Sequence, residues 1–536
     1  MSTTPSGRLA IPDLQSGLAF LSRLPVSNPT VAHPSLAEFI ESLIEAPPAF
    51  AVFVQLLEQA RNPLSHLQGE ISKIFLGKAI PLGETEESVF QQVIRGWQRM
   101  ARAYARCAQL DTGTDPEHAD RVATILQRCI RYSGLAILDH FRARRDLPSG
   151  MWLDFYGYYD SAEEWQIEHR RVFEPLEKQR RSSDCASEVA AVLLTELAGP
   201  YSYTVKDVDI LTTWARIWAP IVKVSATPHD ASQEMHYGVD LYKDAGIRIV
   251  KPDSHRTASM RRLDTSQLAQ QIAQARQQLE QRMTPPQIGL GDCLTVDARR
   301  LLSDITRPWA QVASPRRFRR RPASGKALLA NGFENIYYLV SGSDFSQPES
   351  GSVYSRKDYE MLYAFRHRVD PSQQFFVDAK KERDIPANDW EILNESANGF
   401  RLERRSPGQR IAHKQLLGVC PPNGTKYILA QAHWLMQERD NGLVAGIEVL
   451  PGTPEPISVR RVDADTTAGS GEHFQPAFML PEVVAMSAPT SIVIPSGWYQ
   501  AGRILEMHTT TTWRIRLTGV LQRGEDFDRV LYVMAG

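Results

Sequence analysis

Apolar side chains recur at helical spacing through the first half of the chain. Between Glu86 and Leu110, Val89, Val93, Trp97, Met100 and Tyr104 share one face, which predicts an amphipathic helix. Asp111 to Asp115 reads as a turn. Asp115-Pro116-Glu117 then supplies a cap side chain, a proline suited to the first helical position and an acid near the positive helix end. The helix it opens is expected to run to about Arg145 through Ile125, Ile130, Leu135 and Leu138. Pro148-Ser149-Gly150 breaks it, and an aromatic-rich helix follows with Trp152, Phe155, Tyr156, Tyr158 and Tyr159. Aromatics are the largest apolar surfaces for packing helices together, so this run reads as inter-helix core, not as a stacking platform. Thr204 to Asp207 resembles a capping box with Asp in place of Glu, leading into Ile210, Leu211, Trp214, Ile217 and Trp218 before Pro220.

The pattern changes near Lys223. Tyr237 to Tyr242 and Ile247 to Val250 read as two short strands joined by Lys243-Asp244-Ala245-Gly246. Thr265 to Met283 returns to helix, with a narrow stripe of Leu268, Ile272, Ala275, Leu279 and Met283 that is too short for a coiled-coil seam and is expected to pack on its own domain. After Arg316 the chain is mostly strand. Lys426 to Leu435 and Leu443 to Leu450 flank Asp440-Asn441-Gly442, a good hairpin turn because Asn and Gly tolerate positive φ. Trp513, Ile515 and Leu517 alternate with Arg514, Arg516 and Thr518 as in a half-buried strand. Pro451 to Pro476 is polar and rich in Pro and Gly, and reads as a linker.

These elements predict an α+β multi-domain chain. A helical domain over 1–222 is followed by a mixed hairpin-and-helix connector over 223–313. An antiparallel β-barrel over 314–460, with an insertion near 343–388, and a small C-terminal β segment over 474–536 complete it. At 536 residues the chain is long enough to bury sizeable cores without disulfides or metals. Its five cysteines are scattered with no CxxC, as suits reduced structural thiols. No apolar run is long enough to span a bilayer, and Met1 to Arg8 has no apolar signal core, so a cytoplasmic location is expected.

Lys plus Arg number 61 against 62 Asp plus Glu, which argues against a globally basic nucleic-acid binder, and no DNA partner is expected. Signatures of catalysis are scarce: HExxH, GxSxG and a Walker A loop are all missing, and no enzymatic activity or cofactor is expected. Glu234, His236, Asp240 and His255 lack metal-ligand spacing and read as polar residues around a hairpin.

The neutral total hides one concentrated charge. Ser314 to Pro322 holds five arginines, Arg316, Arg317, Arg319, Arg320 and Arg321, and extending back to Arg299 gives eight arginines against one acid, Asp304. Mutual repulsion disfavours such a run as an isolated helix or strand and makes it an arm suited to an anion. Arginine forks bind phosphate or a guanine O6/N7 edge bidentately and stack on bases. A second segment, Trp390 to Leu402, is strand, polar turn and strand. It contains Asn394, Ser396 and Gly399 in the pattern [D/N]xSxxG: an amide, a hydroxyl and a residue that permits close backbone approach.

Together the two segments resemble the PilZ domain, a small antiparallel β-barrel family of receptors for cyclic di-GMP. The RxxxR of that family is met twice, by Arg316 with Arg320 and by Arg317 with Arg321, and Asn394, Ser396 and Gly399 match its second motif. The helical half is similar to the N-terminal regions of long PilZ-containing proteins. The resemblance implies that Arg316, Arg317, Arg320 and Arg321 grip phosphates and guanine edges while Asn394, Ser396 and Gly399 form the barrel side of the site. It further implies a signalling effector that relays cyclic di-GMP to a protein partner, whose identity and the oligomeric state stay open. Arg321 and Asn394 are 73 positions apart, farther than the family usually separates its motifs. Either the arm still folds back onto Asn394 and Ser396, or the barrel is degenerate and the protein is a nucleotide-independent adaptor. RNA binding by the arginine arm is a third reading.

Overall fold

The computed structural model describes residues 11–111, 113, 115–177, 181–226, 235–251, 254–255, 257–310, 321–348, 388–396, 398–406, 408–422, 424–462 and 473–535. It divides into two units, Met1–Arg317 with Met436–Asn441, and Phe318–Leu435 with Gly442–Gly536.

In the first unit the helical periodicities become α1 (Leu14–Ser22), α2 (Pro29–Glu45), α3 (Phe50–Ser72), α4 (Glu84–Leu110), α5 (His118–Arg142) and α6 (Met151–Glu164). A short ladder of β1 (Val172–Phe173) and β2 (Ser182–Ser183) precedes α7 (Cys185–Leu197) and α8 (Val205–Trp218). The chain opens α4 with Glu84, Glu86 and Glu87 in the first turn, and Glu86 accepts a 2.8 Å bond from the Gly83 N–H. The expected capping box starts α8: Thr204 Oγ1 accepts from the Asp207 N–H and the Asp207 carboxylate from the Thr204 N–H. Trp152, Phe155, Tyr156 and Tyr159 are buried, so the aromatic run is core as expected.

Helix α5 lies at the centre and carries buried polar as well as apolar residues. Glu174 is fully buried and ion-paired to Arg61 and Arg128, which are 1% and 2% exposed. Arg61 also donates to the Tyr132 hydroxyl at 3.0 Å and to Glu58 at 2.9 Å. Burial raises the Glu58 carboxyl, but hydrogen bonds and charge from Arg128 and Arg61 more than offset it and hold it at about 2. Charges this deep survive only because each is paired and hydrogen-bonded.

The connector folds as a four-stranded antiparallel sheet, in the order β3 (Lys223–Ala226), β6 (Met260–Asp264), β4 (His236–Asp240), β5 (Arg248–Val250). Helices α9 (Leu268–Glu280) and α10 (Thr295–Ala310) follow, and Leu268, Ile272, Ala275 and Leu279 are buried within this unit.

In the second unit a strand β7 (Arg321–Pro322) leads into β8 (Lys326–Asn331) and a helix not anticipated from sequence, α11 (Phe333–Ser341). Then come β9 (Asn388–Ser396), β10 (Gly399–Arg404), β11 (Leu416–Cys420), β12 (Ile428–Gln437) and β13 (Leu443–Val449). Pairings β8–β9, β9–β10, β10–β13, β13–β12, β12–β11 and β11–β8 close a ring of six strands, and β7 pairs with β9 at Asn394 and Glu395, beyond the stretch that β8 occupies. Asn441 takes the positive φ, 66°, expected of the β12–β13 turn. Residues 349–387 of the proposed insertion lie outside the described residues.

The stretch Pro451 to Pro476 is not simply a linker. It contains β14 (Glu455–Arg461), and β15 (Gln475–Leu480) begins in it. Both pair into a second closed barrel with β16 (Ser491–Pro495), β17 (Ile504–His508), β18 (Thr512–Arg523) and β19 (Phe527–Met534), in the order β14-β15-β16-β19-β18-β17. Ile457 and Val459 alternate inward in β14, and this short period was hidden by the flanking Pro, Gly and polar residues. The small β segment is therefore a complete barrel. A shared core of Ile336, Leu416, Leu429, Phe478, Val493 and Phe527 joins the two barrels through α11. The chain is thus a mixed α+β, multi-domain protein with a helical N-terminal region and two β-barrels, as the patterning predicted in class.

Candidate functional site

The hairpin of β9 and β10 is built on the register Ser396↔Gly399, Glu395↔Phe400 and Asn394↔Arg401. Side chains on a strand alternate between faces, so Asn394 and Ser396 share one face and Glu395 takes the other. The Ser396 hydroxyl donates within the turn, lying 3.0 Å from Asn398 Oδ1 and 3.2 Å from the Gly399 carbonyl. Gly399 faces Glu448 on β13, and a Cβ there would stand 2.0 Å from the Ile447 carbonyl oxygen. Only glycine lets β13 approach this closely.

The same register continues onto β13, where Arg401 pairs with Gly446. The Trp434 indole from β12 lies over Gly446: a Cβ would be 1.8 Å from its Nε1. The Arg401 guanidinium sits 5.7 Å from the centre of that indole, and its buried Nε has no hydrogen-bond partner among the described residues. Asn394, Ser396, Asn398, Phe400, Trp434 and Glu448 line a shallow cavity of about 220 Å³. The wall therefore combines amides, a hydroxyl, an indole and one carboxylate, and the Arg401 guanidinium lies beside that indole without lining the cavity. Glu448 is the one carboxylate on that lining, with His433 3.9 Å from it, so a phosphate would need cations from outside the cavity.

The structure brings Asn394, Ser396 and Gly399 together and places Arg321 beside them. Strand β7 pairs Arg321 with Glu395 and Pro322 with Asn394, despite the 73-residue separation in sequence. Arg321 stands across from Glu395, and so on the face opposite to Asn394 and Ser396. Arg316, Arg317 and Arg320 lie outside the described residues. Reasoning from sequence missed Arg401, Trp434 and Glu448. The available signal was Gly446: a glycine inside the β-run Val444 to Leu450 marks a close approach to the strand.

Among the described residues, no group of three or more His, Cys, Asp or Glu side chains is arranged to hold a metal ion. Asp240, one of the residues near the β4 hairpin, instead accepts from the Ser259 hydroxyl at 2.7 Å and the Tyr242 N–H at 3.2 Å. No described helix is long and apolar enough to cross a membrane.

Comparison with known proteins bears on both ends of the chain. Residues 15–229, from α1 past β3, match the family model described as the N-terminal domain of the cyclic-di-GMP receptor FimW. Residues 459–534, from within β14 to the end of β19, match the model of the FimW C-terminal beta-barrel domain. The cyclic-di-GMP receptor FimW of Pseudomonas aeruginosa is 21% identical over 491 residues, covering 85% of this chain and 79% of its own length. The two matched stretches flank the middle barrel on which the PilZ resemblance rests, and over most of its length the chain is similar to a cyclic-di-GMP receptor.

Proposed function

We propose that this protein is a cyclic di-GMP receptor that relays the nucleotide signal to a protein partner, and that the nucleotide binds on the outer face of the middle barrel. The observation that carries the reading is the β7–β9 pairing, which sets the end of the arginine run one strand away from the Asn394–Ser396–Gly399 turn. The similarity to FimW supports the choice of ligand.

In this reading Arg316, Arg317 and Arg320 supply the positive charge that the cavity lacks, gripping the phosphates and guanine O6/N7 edges, while Arg321, opposite Glu395 on the other face, ties the run to β9. Asn394 and Ser396 hydrogen-bond the ligand from the barrel side, and Gly399 keeps β13 close. Trp434 with Arg401 offers a flat face on which a purine stacks, and Glu448 accepts from the donors of a guanine Watson–Crick edge. The chain acts by binding rather than by catalysis, and nucleotide binding changes the surface presented to the partner.

Isothermal titration of the full chain with cyclic di-GMP tests this. Saturable binding that falls at least tenfold in Arg316→Ala/Arg320→Ala and in Ser396→Ala is expected. Absence of binding, or binding indifferent to both sets of substitutions, refutes it. Steeply salt-dependent binding of any polyanion would instead favour RNA.

A further inference from the structure

Helix α4 buries Val93, Trp97, Met100, Tyr104 and Cys107 in the core of the helical unit. Its outer face carries Arg95, Arg99, Arg102 and Arg106. At about 100° per residue these positions, i, i+4, i+7 and i+11, fall within about 60° of the helix circumference and extend over about 16 Å of its length. Like charges three and four apart on a helix repel, so this strip works against the stability of α4 on its own.

One carboxylate relieves it in part. Glu41, from α2, lies 2.6 Å from Arg99 Nε and 3.2 Å from Arg102 Nη2, and the Arg102 side chain stays 60% exposed. Arg95 and Arg106 have no carboxylate partner among the described residues. Arg95 donates to the Gln91 carbonyl at 3.2 Å and Arg106 to Gln109 at 2.7 Å, both on their own helix. Arg95, Arg99 and Arg102 also line a cavity of about 390 Å³, to which Ser133 of α5 and Asp154 and Tyr158 of α6 contribute. Four guanidinium groups against the two carboxylates Glu41 and Asp154 leave two positive charges in excess.

This pattern fits carboxylates better than a phosphate polymer. A continuous phosphate backbone laid along the strip would pass Glu41 and Asp154 and be repelled at both. Separate carboxylates avoid them. Side chains three and four apart on a helix stand about 5–6 Å apart, so an acidic helix alongside α4 repeats the spacing of the arginines. Each guanidinium fork then takes one carboxylate, and the cavity admits a side chain that the Ser133 and Tyr158 hydroxyls can meet.

We propose that the arginine face of α4 is the docking surface for an acidic helical segment of a partner protein. Its carboxylates pair with Arg95, Arg102 and Arg106, and one of its side chains enters the cavity beside Tyr158. The proposal rests on the partner relay proposed above and gives that partner a chemistry, but none of its residues belongs to the barrel face.

The test is fluorescence anisotropy of a labelled helical peptide bearing glutamate at i, i+4, i+7 and i+11, titrated with the full chain. Matched peptides carry glutamine or lysine at the same positions. The glutamate peptide is expected to saturate at one per chain, at least tenfold more tightly than the glutamine peptide. Arg95→Glu/Arg102→Glu, at two exposed positions, is expected to weaken it at least tenfold, to bind the lysine peptide instead, and to keep the melting temperature of the wild type. Pairing restored by reversed charges is a result that damage to the fold cannot give. The same variant is expected to bind cyclic di-GMP unchanged, and Arg316→Ala/Arg320→Ala to bind the glutamate peptide unchanged, so the two readings fail separately. No saturation by the glutamate peptide, equal affinity for the glutamine peptide, no gain of lysine-peptide binding in the reversed variant, or displacement of the peptide by single-stranded RNA overturns the proposal.

Discussion

Replacing Gly446 with alanine separates the geometry of the barrel face from a generic surface. A Cβ at 446 would meet Trp434 Nε1 at 1.8 Å, Cε2 at 2.4 Å and Cδ1 at 2.5 Å, so the indole must swing off the strand. Over-packing of this kind costs about 1–3 kcal/mol. Moving the ring from beneath Arg401 forfeits a further 0.5–1 kcal/mol, roughly, of cation–π attraction. A total of about 1.5–4 kcal/mol should lower the melting temperature of the unit by roughly 3–15 °C. The near-ultraviolet circular dichroism of tryptophan should change with it. The decisive control is Trp434→Ala. With the indole gone the three atoms nearest the new methyl are removed, and Gly446→Ala should then cost markedly less than it does beside Trp434. A Gly446→Ala cost that is the same in both backgrounds would show that the indole is not what excludes the side chain. A melting temperature that does not move in either background would refute the geometry altogether. If the barrel reading is right, the variant also loses cyclic di-GMP affinity by roughly the 1–3 kcal/mol that stacking on an aromatic face provides.

Two further predictions concern the helical unit. Glu174→Ala leaves Arg61 and Arg128 buried with only Glu58 as a shared carboxylate, and should cost about 3–5 kcal/mol in urea denaturation; a loss below about 1 kcal/mol would contradict the pairing. Glu196, part-buried at the end of α7, accepts from the Ile247 N–H at 2.8 Å, yet burial outweighs that bond and pushes its carboxyl up to about 7. A raised carboxyl binds its proton more tightly in the folded state, so its stabilising contribution is present below the ordinary value of 4.5 and is lost as pH rises to about 7. Glu196→Gln should therefore gain on the wild type between pH 5 and pH 8 by up to roughly 3 kcal/mol. The gain would be smaller in proportion to the solvent the carboxyl keeps, and an unchanged difference across that range would show that Glu196 does not titrate there.

The legibility of the fold varied with the length of the signal. Helices α4, α5 and α8 follow directly from the spacing of Val93, Trp97, Met100 and Tyr104, of Ile130 and Leu138, and from the Thr204–Asp207 box. Each carries several turns of redundant pattern. Strand β14 was read as linker because two inward residues, Ile457 and Val459, are too few to outvote the Pro, Gly and polar residues around them. Helix α11 was missed for the same reason: it is short, and only Ile336 of its residues is buried. At the site, Asn394, Ser396 and Gly399 were legible because a tight turn restricts residue choice. Arg401 and Trp434 were not, since each is an unremarkable strand residue until β10, β13 and β12 lie side by side.

Sequence alone determined the division into a helical and a β half, the Thr204–Asp207 cap that begins α8, the Asn394–Ser396–Gly399 turn and the concentration of arginine between 299 and 321, whereas α5 starts at His118 after Glu117 and not on the Asp115 cap. The features it determined are local, carried by residues within a few turns or one hairpin of each other. Tertiary structure alone decided that the second barrel closes, that β7 reaches β9 across 73 residues, that Trp434 covers Gly446, and that Glu41 of α2 serves both Arg99 and Arg102 of α4. The physical reason is that pairing across a sheet and packing between helices depend on which distant segments share surface. A single sequence records the price of admission to that surface, a glycine or a buried charge, but not the neighbour that requires it.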